Sequence, residues 1–510
     1  MKKQESFRRI RDAAAVDAAK AVAAASRLAG HQGTSITGKA ALSLSSTVLA
    51  DLAGQVKGKT FAVCGTNGKT TVNNLLCAML EAEGKKVVCN RLGANMLPGV
   101  TGAFVDMAGH TGKLEADYAC IEVDEASAQH VFGAIRPDYM ILTNLFRDQL
   151  DRYGEIDITI ELLIKAIRMV PDMKLIINAD DPLSVYLGME TGNPCVYYGI
   201  QEPVHKRETD TGENNTGENN KERPKMELTH EVREGQFCKK CGAALVYEYY
   251  HYGQMGKYRC SACDFTRPEP RYAATGISTE NGIRFLVEGL SVESDLRGLY
   301  SAYNLLAVWS ALREEGSGIL FPGKLANMAE PVSSPDNGQT GTGNPGTEQP
   351  DTKLFNEVIR SYHTQFGRNE IFSVDGRRVI LNLAKNPAGF NQNIESMLED
   401  REPKRLIIVI NDNEQDGTDV SWLWDVDFDR ILDDSVKAVS VSGIRTLDMS
   451  LRLKYVGIPA ELAETPENAI ENQLQKGQEK LYVLVNYTAL FPIHRYLQRR
   501  EKERKETERK

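Results

Sequence analysis

A glycine-rich turn between a strand pattern and a helix pattern constrains this chain of 510 residues more than any other stretch. The apolar run from Thr60 to Cys64 is typical of a buried strand, and a helical pattern runs from Val72 to Ala82. In such a turn, unpaired backbone N–H groups and the positive end of the helix converge, which favours phosphate. The predicted phosphate-binding residues between the two patterns are Gly65, Thr66, Asn67, Gly68, Lys69, Thr70 and Thr71.

The side chains of this turn indicate a nucleoside triphosphate with magnesium. Lys69 is placed to reach the outer phosphates, and Thr70 or Thr71 to offer a hydroxyl to Mg²⁺. The first glycine lies closer to the lysine than in the common pattern G-x-x-x-x-G-K-[ST]. The prediction therefore depends on the order of strand, turn and helix as well as on G-x-x-G-K-T, and a turn without a ligand is the alternative.

Alternating strand and helix patterns predict an α/β fold with a doubly wound parallel sheet. Three strand patterns after the turn, at 118–125, 139–144 and 174–181, end in acids or asparagines, at the sheet edge where such folds bind ligands. A second alternating series predicts another Rossmann-like α/β domain. The expected division is an N-terminal helical segment at 1–50, a central ATPase domain at 51–365, a C-terminal domain at 366–498 and a charged tail at 499–510.

The central domain carries an insert at 201–272 and a low-complexity linker at 330–352. In the insert, two C-x-x-C pairs are separated by eighteen residues, the spacing of a zinc ribbon. Four thiolates leave no open position for water, so we predict a structural zinc ion. Two reduced pairs without metal are the alternative. The predicted ligands are Cys238, Cys241, Cys260 and Cys263.

Composition limits the kinds of partner and the cell compartment that fit this chain. The net charge of -9 argues against a general nucleic-acid binder. No apolar run has the length needed to cross a bilayer, so an integral membrane protein is not expected. The five cysteines outside the two pairs lie in apolar segments, which suits a reducing compartment. We therefore expect a cytoplasmic protein.

Several motifs in a fixed order resemble the Mur ligase superfamily, whose members activate a carboxylate with ATP as an acyl phosphate and join it to an amine. The motifs are residues 65–71, Glu122, the stretch T-N-L-F-R-D-Q-L-D-R at 143–152, N-A-D-D at 178–181, Tyr303-Asn304, and Arg368 in F-G-R-N-E.

The resemblance implies roles for individual residues. Lys69 and Thr70 would hold phosphate and magnesium, and Glu122 would be a second magnesium ligand. The implied nucleotide contacts outside the loop are Asn304 to adenine, Arg368 from the domain junction and Lys385 in the motif at 383–391. Lys165 stands thirteen residues before Asn178, as the carbamylated lysine of Mur ligases does, and the alternative is an exposed helix lysine.

Departures from the ordinary Mur pattern narrow the resemblance. Too few residues precede the phosphate loop for a nucleotide-sugar domain, D-Q-L-D-R lacks the histidine of D-H-x-D-R, and Asn382 stands where a ribose-binding aspartate is common. With the predicted zinc ribbon, these features resemble the MurT family, the synthetase subunits of lipid II isoglutaminyl synthase. The resemblance implies amidation of the α-carboxyl of D-glutamate in the lipid II stem peptide, at the inner face of the cell membrane. The ammonia would come from a GatD-like glutaminase in a heterodimer.

The loop at 416–425 is the expected docking site for that glutaminase. It holds three aspartates and, in Trp422 and Trp424, two of the three tryptophans of the chain. A nucleophilic cysteine needs a histidine base and a carboxylate that orients it, and the resemblance implies that this chain supplies the carboxylate. Asp419 is the first candidate, ahead of Asp416 and Asp425, and helix or turn capping is the alternative.

Two other functions fit part of the sequence. A ligase that adds an amino acid, such as a folylpolyglutamate-like synthetase, would use the same ATP chemistry. A binding module switched by ATP would use the zinc ribbon to dock a partner. The acids at the strand ends exceed what a switch needs, which favours an enzyme.

Overall fold

The computed structural model describes residues 2–28, 34–147, 156–204, 234–280, 282–320, 352–362 and 367–507. The predicted linker at 330–352, except its last residue, and the stretch D-Q-L-D-R at 148–152 lie outside these ranges.

Three helices precede the first strand. Small buried side chains, including Ala15, Ala19 and Ala41, let them pack closely on each other. Ser45 lies between the second and third of these helices, where its hydroxyl donates a hydrogen bond to Asp12. The helices are α1 (Lys2–Leu28), α2 (Thr34–Leu44) and α3 (Val48–Ala53).

A nine-stranded sheet forms the central domain. Its strands are β1 (Thr60–Cys64), β2 (Val87–Cys89), β3 (Tyr118–Glu122), β4 (Tyr139–Leu142), β5 (Lys174–Asn178), β6 (Cys195–Ile200), β9 (Tyr272–Ser278), β10 (Ile283–Val287) and β11 (Leu290–Ser294). Their order is β11-β10-β9-β6-β5-β4-β1-β3-β2. In this order, the seven strands β9-β6-β5-β4-β1-β3-β2 are parallel to their neighbours. Strands β10 and β11 add an antiparallel edge because short turns connect them.

Helices cover both faces of this sheet, as a doubly wound fold requires. They are α4 (Lys69–Ala82), α5 (Leu97–Met107), α6 (Ala128–Ile135), α7 (Ile156–Arg168), α8 (Pro182–Thr191), α9 (Leu299–Glu315) and α10 (Lys353–Ser361). Helix α9 is buried on nearly all sides and places Trp309 in the hydrophobic core on one face of this sheet. The predicted α/β class with a parallel sheet is confirmed, with the antiparallel edge as an addition.

The C-terminal domain is a six-stranded sheet in the order β12-β13-β17-β14-β15-β16. Its strands are β12 (Glu370–Val374), β13 (Arg377–Leu383), β14 (Lys404–Val409), β15 (Val436–Ser442), β16 (Ala460–Leu462) and β17 (Lys480–Val485). All neighbours are parallel except β12 and β13, which form a hairpin. The helices are α11 (Pro387–Glu399), α12 (Thr446–Tyr455), α13 (Pro466–Lys476) and α14 (Tyr487–Thr507).

The charged tail begins within a docked helix. In α14, Leu497 is fully buried, and Arg500 donates to Asp375 at 2.9 Å and contacts Glu471. Near its start, the predicted charged tail at 499–510 therefore has a residue that ion pairs join to the rest of the C-terminal domain.

The cysteine pairs border an antiparallel hairpin formed by β7 (Leu245–Tyr252) and β8 (Met255–Cys260). The cysteines lie near the open end of this hairpin, where Leu245 pairs with Cys260. The turn is at the other end, where Tyr252 pairs with Met255. Across the described ranges, we find no helix with the length and apolar character needed to cross a bilayer.

Candidate nucleotide site and partner surface

The phosphate loop joins the carboxyl end of β1 to the N-terminus of α4. Gly65 and Gly68 have φ angles of 122° and 88°. A Cβ on Gly65 would lie 2.3 Å from Thr143 Oγ1, and one on Gly68 would lie 2.3 Å from Asn304 Oδ1. Both positions therefore need glycine, for backbone conformation and for space.

Polar side chains at the end of β4 hold the loop. Asn144 Oδ1 accepts a hydrogen bond from the Asn67 N–H at 2.9 Å, and Thr143 Oγ1 donates to the Asn67 carbonyl at 2.7 Å. Thr66 Oγ1 donates to the Phe146 carbonyl at 2.9 Å. The first residues of the T-N-L-F motif thus fix the backbone that would surround phosphate.

Lys69 makes a buried ion pair at this loop. Its Nζ lies 2.8 Å from Glu125 Oε1, and both side chains are less than a tenth exposed. The same carboxylate oxygen accepts a hydrogen bond from the Gly65 N–H at 3.0 Å. Glu125 was part of the predicted acidic strand end but had no assigned role. The signal that could have identified it is its place three residues beyond Glu122.

The pair sets the charge state of both groups. Burial alone would lower the pKa of Lys69, but the carboxylates of Glu125, Glu122 and Asp124 outweigh burial and raise it. Burial raises the pKa of Glu125, and the Lys69 charge opposes that rise. Lys69 is therefore a cation at neutral pH, as an outer-phosphate contact must be.

Thr70 and Glu122 face the same space beside Gly93. A Cβ on Gly93 would lie 3.5 Å from Thr70 Oγ1 and 3.6 Å from Glu122 Oε2. Glu122 Oε1 accepts from Asn95 Nδ2 at 2.9 Å, whereas its buried Oε2 has no hydrogen-bond partner in the part of the chain that the structure describes. A buried carboxylate oxygen without a donor needs a cation or a proton. Hydroxyl and carboxylate oxygens are ligands that Mg²⁺ prefers, so the predicted pair fits this ion.

Helix α9 brings Asn304 to the phosphate loop. Its side chain is buried, and its Oδ1 lies against the position where Gly68 lacks a Cβ. The residue expected to contact adenine is therefore next to the loop expected to hold the phosphates.

The C-terminal domain reaches the loop at two points. Arg368 Nη1 donates to Thr71 Oγ1 at 3.0 Å. Asn386, the N-cap of α11, lies within hydrogen-bond reach of the Asn67 side chain, at 3.3 Å for the shorter of two contacts. Lys385, half-buried, immediately precedes this contact. Both domains therefore contribute to the wall of the predicted nucleotide site.

Asn382 supports the Arg368 loop. Its Oδ1 accepts from the Asn369 N–H at 2.5 Å, and its Nδ2 donates to Asn369 Oδ1 at 3.0 Å. Asn369 has a φ of 52° and donates to the Tyr300 hydroxyl at 3.0 Å. Asn382, which departs from the aspartate of the Mur pattern, thus holds a left-handed residue beside Arg368.

Lys165 is not brought to this site. Its side chain is 64% exposed, and its Nζ lies 3.8 Å from Glu161 Oε2 on the same helix. The buried residues of α7, among them Ile160, Leu163 and Ile167, occupy the opposite face. Among the described residues we find no contact between Lys165 and the phosphate loop, so the geometry agrees with the alternative of an exposed helix lysine.

The four predicted zinc ligands form one cluster. Their Sγ atoms all lie within 4.8 Å of one another, with 3.7 Å between Cys238 and Cys263 and 3.4 Å between Cys241 and Cys260. Zinc–sulfur bonds of about 2.3 Å in a tetrahedron place sulfurs about 3.8 Å apart. The N–H of Ala262 points at Cys260 Sγ and lowers the pKa of that thiol to about 6. The donor set and its spacing therefore fit zinc.

The three aspartates of the loop at 416–425 have different environments. Asp416 is buried and accepts from the N–H of Thr488 at 2.8 Å, at the start of α14. Asp425 pairs with Arg147 of the central domain. Asp419 is only half-buried and accepts from the N–H and hydroxyl of Ser421, at 2.8 and 3.0 Å. These two contacts form a local turn ahead of the short helical segment Ser421–Asp425, whose N-cap is Val420, and Asp419 also keeps a face open to solvent.

A surface groove of about 360 Å³ adjoins Asp419, lined by residues including Trp424, Asp448 and Leu451. Beside it, helix α12 carries an exposed apolar stripe, defined by Leu447, Leu451 and Tyr455 at intervals of four residues. The Trp424 ring contacts the Tyr455 ring edge-on, with centroids 5.1 Å apart. This groove and stripe place aromatic and aliphatic surface next to an accessible carboxylate.

Two family sequence profiles match this chain, one in the domain of each large sheet. The profile of the Mur ligase middle domain matches residues 63–236, and that of the MurT ligase C-terminal domain matches residues 383–490. The subunit MurT of lipid II isoglutaminyl synthase (glutamine-hydrolyzing) from Staphylococcus aureus strain N315 is 31% identical over 492 residues, covering 95% of this chain and 97% of that protein. The chain belongs to the MurT family. It is thus a ligase of the Mur type.

A second MurT relative agrees with this assignment, and one solved structure shares the fold. The MurT subunit from Streptococcus pneumoniae is 30% identical over 483 residues, covering 93% of this chain and 94% of its own length. A pseudomurein peptide ligase type C from Methanothermus fervidus has a similar fold, with a TM-score of 0.59, 20% identity, and coverage of 86% of this chain and 78% of that one. The MurT relatives from Staphylococcus aureus and Streptococcus pneumoniae are both named as subunits, which implies a complex with a partner.

Proposed function

We propose that this protein amidates the α-carboxyl of D-glutamate in the lipid II stem peptide. In the first step, a carboxylate oxygen attacks the γ-phosphorus of ATP, the bond to the β-phosphate oxygen breaks, and ADP leaves. In the second, the nitrogen of ammonia attacks the acyl carbon of the resulting acyl phosphate, phosphate leaves, and the nitrogen loses a proton. The product is D-isoglutamine.

The observation that carries this proposal is the convergence of charged groups from both domains on the phosphate loop. Lys69 is a buried cation at one side, and Arg368 reaches the first turn of α4 from the other domain. Charge that spreads over a transferring phosphoryl group is stabilised by cations fixed around it, and no protein nucleophile is needed. Movement of the C-terminal domain would change the position of Arg368 and so the completeness of the site.

Thr70 and Glu122 are the proposed magnesium ligands. When bound there, Mg²⁺ would supply charge neutralisation between phosphate oxygens. Asn95 orients the Glu122 carboxylate. The Asn90 side chain holds the Glu122 backbone, because it accepts from the Glu122 N–H at 2.9 Å and donates to the Glu122 carbonyl at 2.8 Å. These asparagines hold the carboxylate toward Thr70.

The ammonia source in this proposal is a separate GatD-like glutaminase. The names of both MurT relatives describe them as subunits, and both names include glutamine hydrolysis. Asp419 is the proposed carboxylate that orients the histidine of the partner's cysteine–histidine pair. Its partial exposure supports this choice, because Asp416 is buried against Thr488 and Asp425 is paired with Arg147.

The proposed docking surface consists of the groove beside Asp419 and the stripe of Leu447, Leu451 and Tyr455. Exposed aromatic and aliphatic residues beside the accessible Asp419 carboxylate are typical of an interface centre. The partner would therefore cover Asp419 as it docks. The substrate is lipid-linked, so we propose that the complex works at the inner face of the cell membrane.

The decisive experiment measures ADP release and product mass with purified chain, ATP, Mg²⁺ and lipid II. Ammonium chloride alone should support amidation, and glutamine should support it only when the glutaminase is added. Product that requires a free amino acid instead of ammonia would establish the amino-acid ligase. Nucleotide binding without any acceptor-dependent ADP release would establish the ATP-switched module.

A further inference from the structure

The tip of the ribbon hairpin is buried inside the central domain. His251 is 4% exposed, and Gln254 and Met255 are fully buried. The cysteine cluster lies at the opposite end of the same hairpin. An insert that served only as a surface module would present its tip to solvent, so this burial calls for an explanation.

One route of contacts leads from the tip to Asn304. His251 Nδ1 lies 2.6 Å from the Tyr303 hydroxyl, which donates to Asp180 Oδ2 at 2.6 Å. Arg267, also in the insert, donates through Nε to the other oxygen of Asp180 at 2.5 Å. The Tyr303 hydroxyl is therefore held between His251 and Asp180, and Asn304 is the next residue on α9.

A second route leads from the tip to Thr66. Gln254 Nε2 donates to the Leu145 carbonyl at 2.6 Å and to Asp181 Oδ1 at 2.9 Å. The next residue, Phe146, exchanges two hydrogen bonds of 2.9 Å with Thr66, one through its N–H and one through its carbonyl.

The tip also packs directly on Phe146. A Cβ on Gly253 would lie 2.8 Å from the Phe146 ring, and Tyr252 stacks on that ring with centroids 6.2 Å apart. Gly253 has a φ of 51°. The turn is therefore shaped to approach the residue that holds one end of the phosphate loop.

We propose that the hairpin tip, residues 251–254, is a positioning element of the nucleotide site. It acts through Tyr303 on Asn304, whose Oδ1 abuts Gly68, and through Phe146 on Thr66. Preorganisation of groups that contact a ligand raises affinity because less conformational freedom is lost on binding. His251, Gln254 and Tyr303 are positioning residues, and the inference rests on the proposed nucleotide site.

A matched pair of tyrosines tests this. Tyr303→Phe removes the hydroxyl that joins His251 to Asp180. Tyr258→Phe makes the same change on β8, at a buried hydroxyl that has no hydrogen-bond partner within the described residues. Both variants delete one oxygen from a buried ring, so loss of packing alone would affect them equally.

The full chain is titrated, with Mg²⁺, against an ATP analogue that carries a fluorescent ribose substituent, and thermal unfolding is recorded in parallel. We expect Tyr303→Phe to raise the Kd about fivefold, the effect of roughly one hydrogen bond. Tyr258→Phe should stay within about twofold. In the amidation assay, KM for ATP should rise in Tyr303→Phe with little change in KM for the carboxylate substrate.

Gln254→Met tests the second route independently and should also weaken binding of the analogue. If Tyr303→Phe does not fold, the Kd of Gln254→Met for the analogue, compared with that of Tyr258→Phe, tests the positioning role. Folded variants of both residues that bind the analogue as tightly as Tyr258→Phe would overturn the positioning role while leaving the nucleotide site intact. A wild-type chain that does not bind the analogue would overturn the proposed nucleotide site itself.

Discussion

Lys69 and Glu125 form a buried ion pair of 2.8 Å at the start of the helix that follows the phosphate loop. Their positions in the sequence differ by 56, and only the parallel pairing of β1 with β3 brings them together. Lys69 therefore has two tasks: it supplies a cation to the proposed phosphate site, and it compensates a buried carboxylate.

Lys69→Ala should abolish ATP-dependent amidation and also lower the free energy of unfolding by roughly 3–5 kcal/mol, because the buried Glu125 carboxylate would lose the cation that compensates its charge. The double variant Lys69→Ala with Glu125→Gln should recover most of this stability and none of the activity. Denaturant unfolding and ADP release measure the two effects. Turnover retained in Lys69→Ala would remove the loop from the mechanism.

Zinc should be present at one ion per chain, and its removal should lower stability. Cys260→Ser replaces a ligand whose pKa is about 6 and should reduce both zinc content and the unfolding temperature. Cys195→Ser is the control, because that thiol lies outside the cluster and makes a local contact with the Asn193 carbonyl at 3.3 Å. Elemental analysis without zinc in the wild-type chain would contradict the assignment.

Asp419→Asn should suppress glutamine-driven amidation by roughly 100-fold or more and spare the reaction driven by ammonium. Asp416→Asn is the matched control: it weakens the cap at Thr488, costs about 1 kcal/mol of stability, and should affect both nitrogen sources alike. Equal loss of both activities in Asp419→Asn, or loss of neither, would reject its role in the partner's active site.

Leu451→Glu should weaken binding of the glutaminase at least about tenfold, because it places a charge in the exposed apolar stripe. Leu286→Glu introduces the same charge at a similarly exposed leucine of the central sheet and should leave binding unchanged. Titration calorimetry with the purified partner measures both. Identical affinities for the two variants would place the interface elsewhere.

Glu399 should make stability fall as pH rises toward neutrality. Burial and repulsion from Glu395 raise its pKa to about 7, above the ordinary value of 4.5. Between these two pH values the folded state holds a proton that the unfolded state has released, so unfolding becomes easier as pH increases through this window. Glu399→Gln should therefore reduce the fall in unfolding temperature between pH 5 and pH 8. An unchanged pH profile would show that the shift is absent.

Much of the site followed from local patterns. The glycines, Lys69 and Thr70 were predicted because a strand, a turn and a helix occur in sequence order, and the structure places each of them at the β1–α4 junction. Glu122 was predicted as a strand-end acid, and it faces Thr70 across the space beside Gly93. Lys165 shows the limit of spacing arguments, because the apolar period of its helix turns it outward.

Contacts between distant segments were not predictable in the same way. Glu125 as partner of Lys69, the Asn386 contact with Asn67, and the burial of the ribbon tip depend on how sheets and inserts pack. The two antiparallel edge hairpins were also missed, because short strands with exposed faces carry weak periodicity.

The elements and their chemistry could be predicted from short stretches of sequence: a phosphate loop, alternating strands and helices, and four cysteines at zinc-ribbon spacing. These features depend on residues close together in the chain, whose patterns reflect local backbone geometry and ligand spacing. The folded arrangement was needed to learn which buried charges neutralise each other, which of the three aspartates in the loop at 416–425 stays accessible, and what the ribbon tip touches. Those outcomes depend on burial and on packing between segments far apart in the chain, where the cost of an unpaired polar group selects the partners.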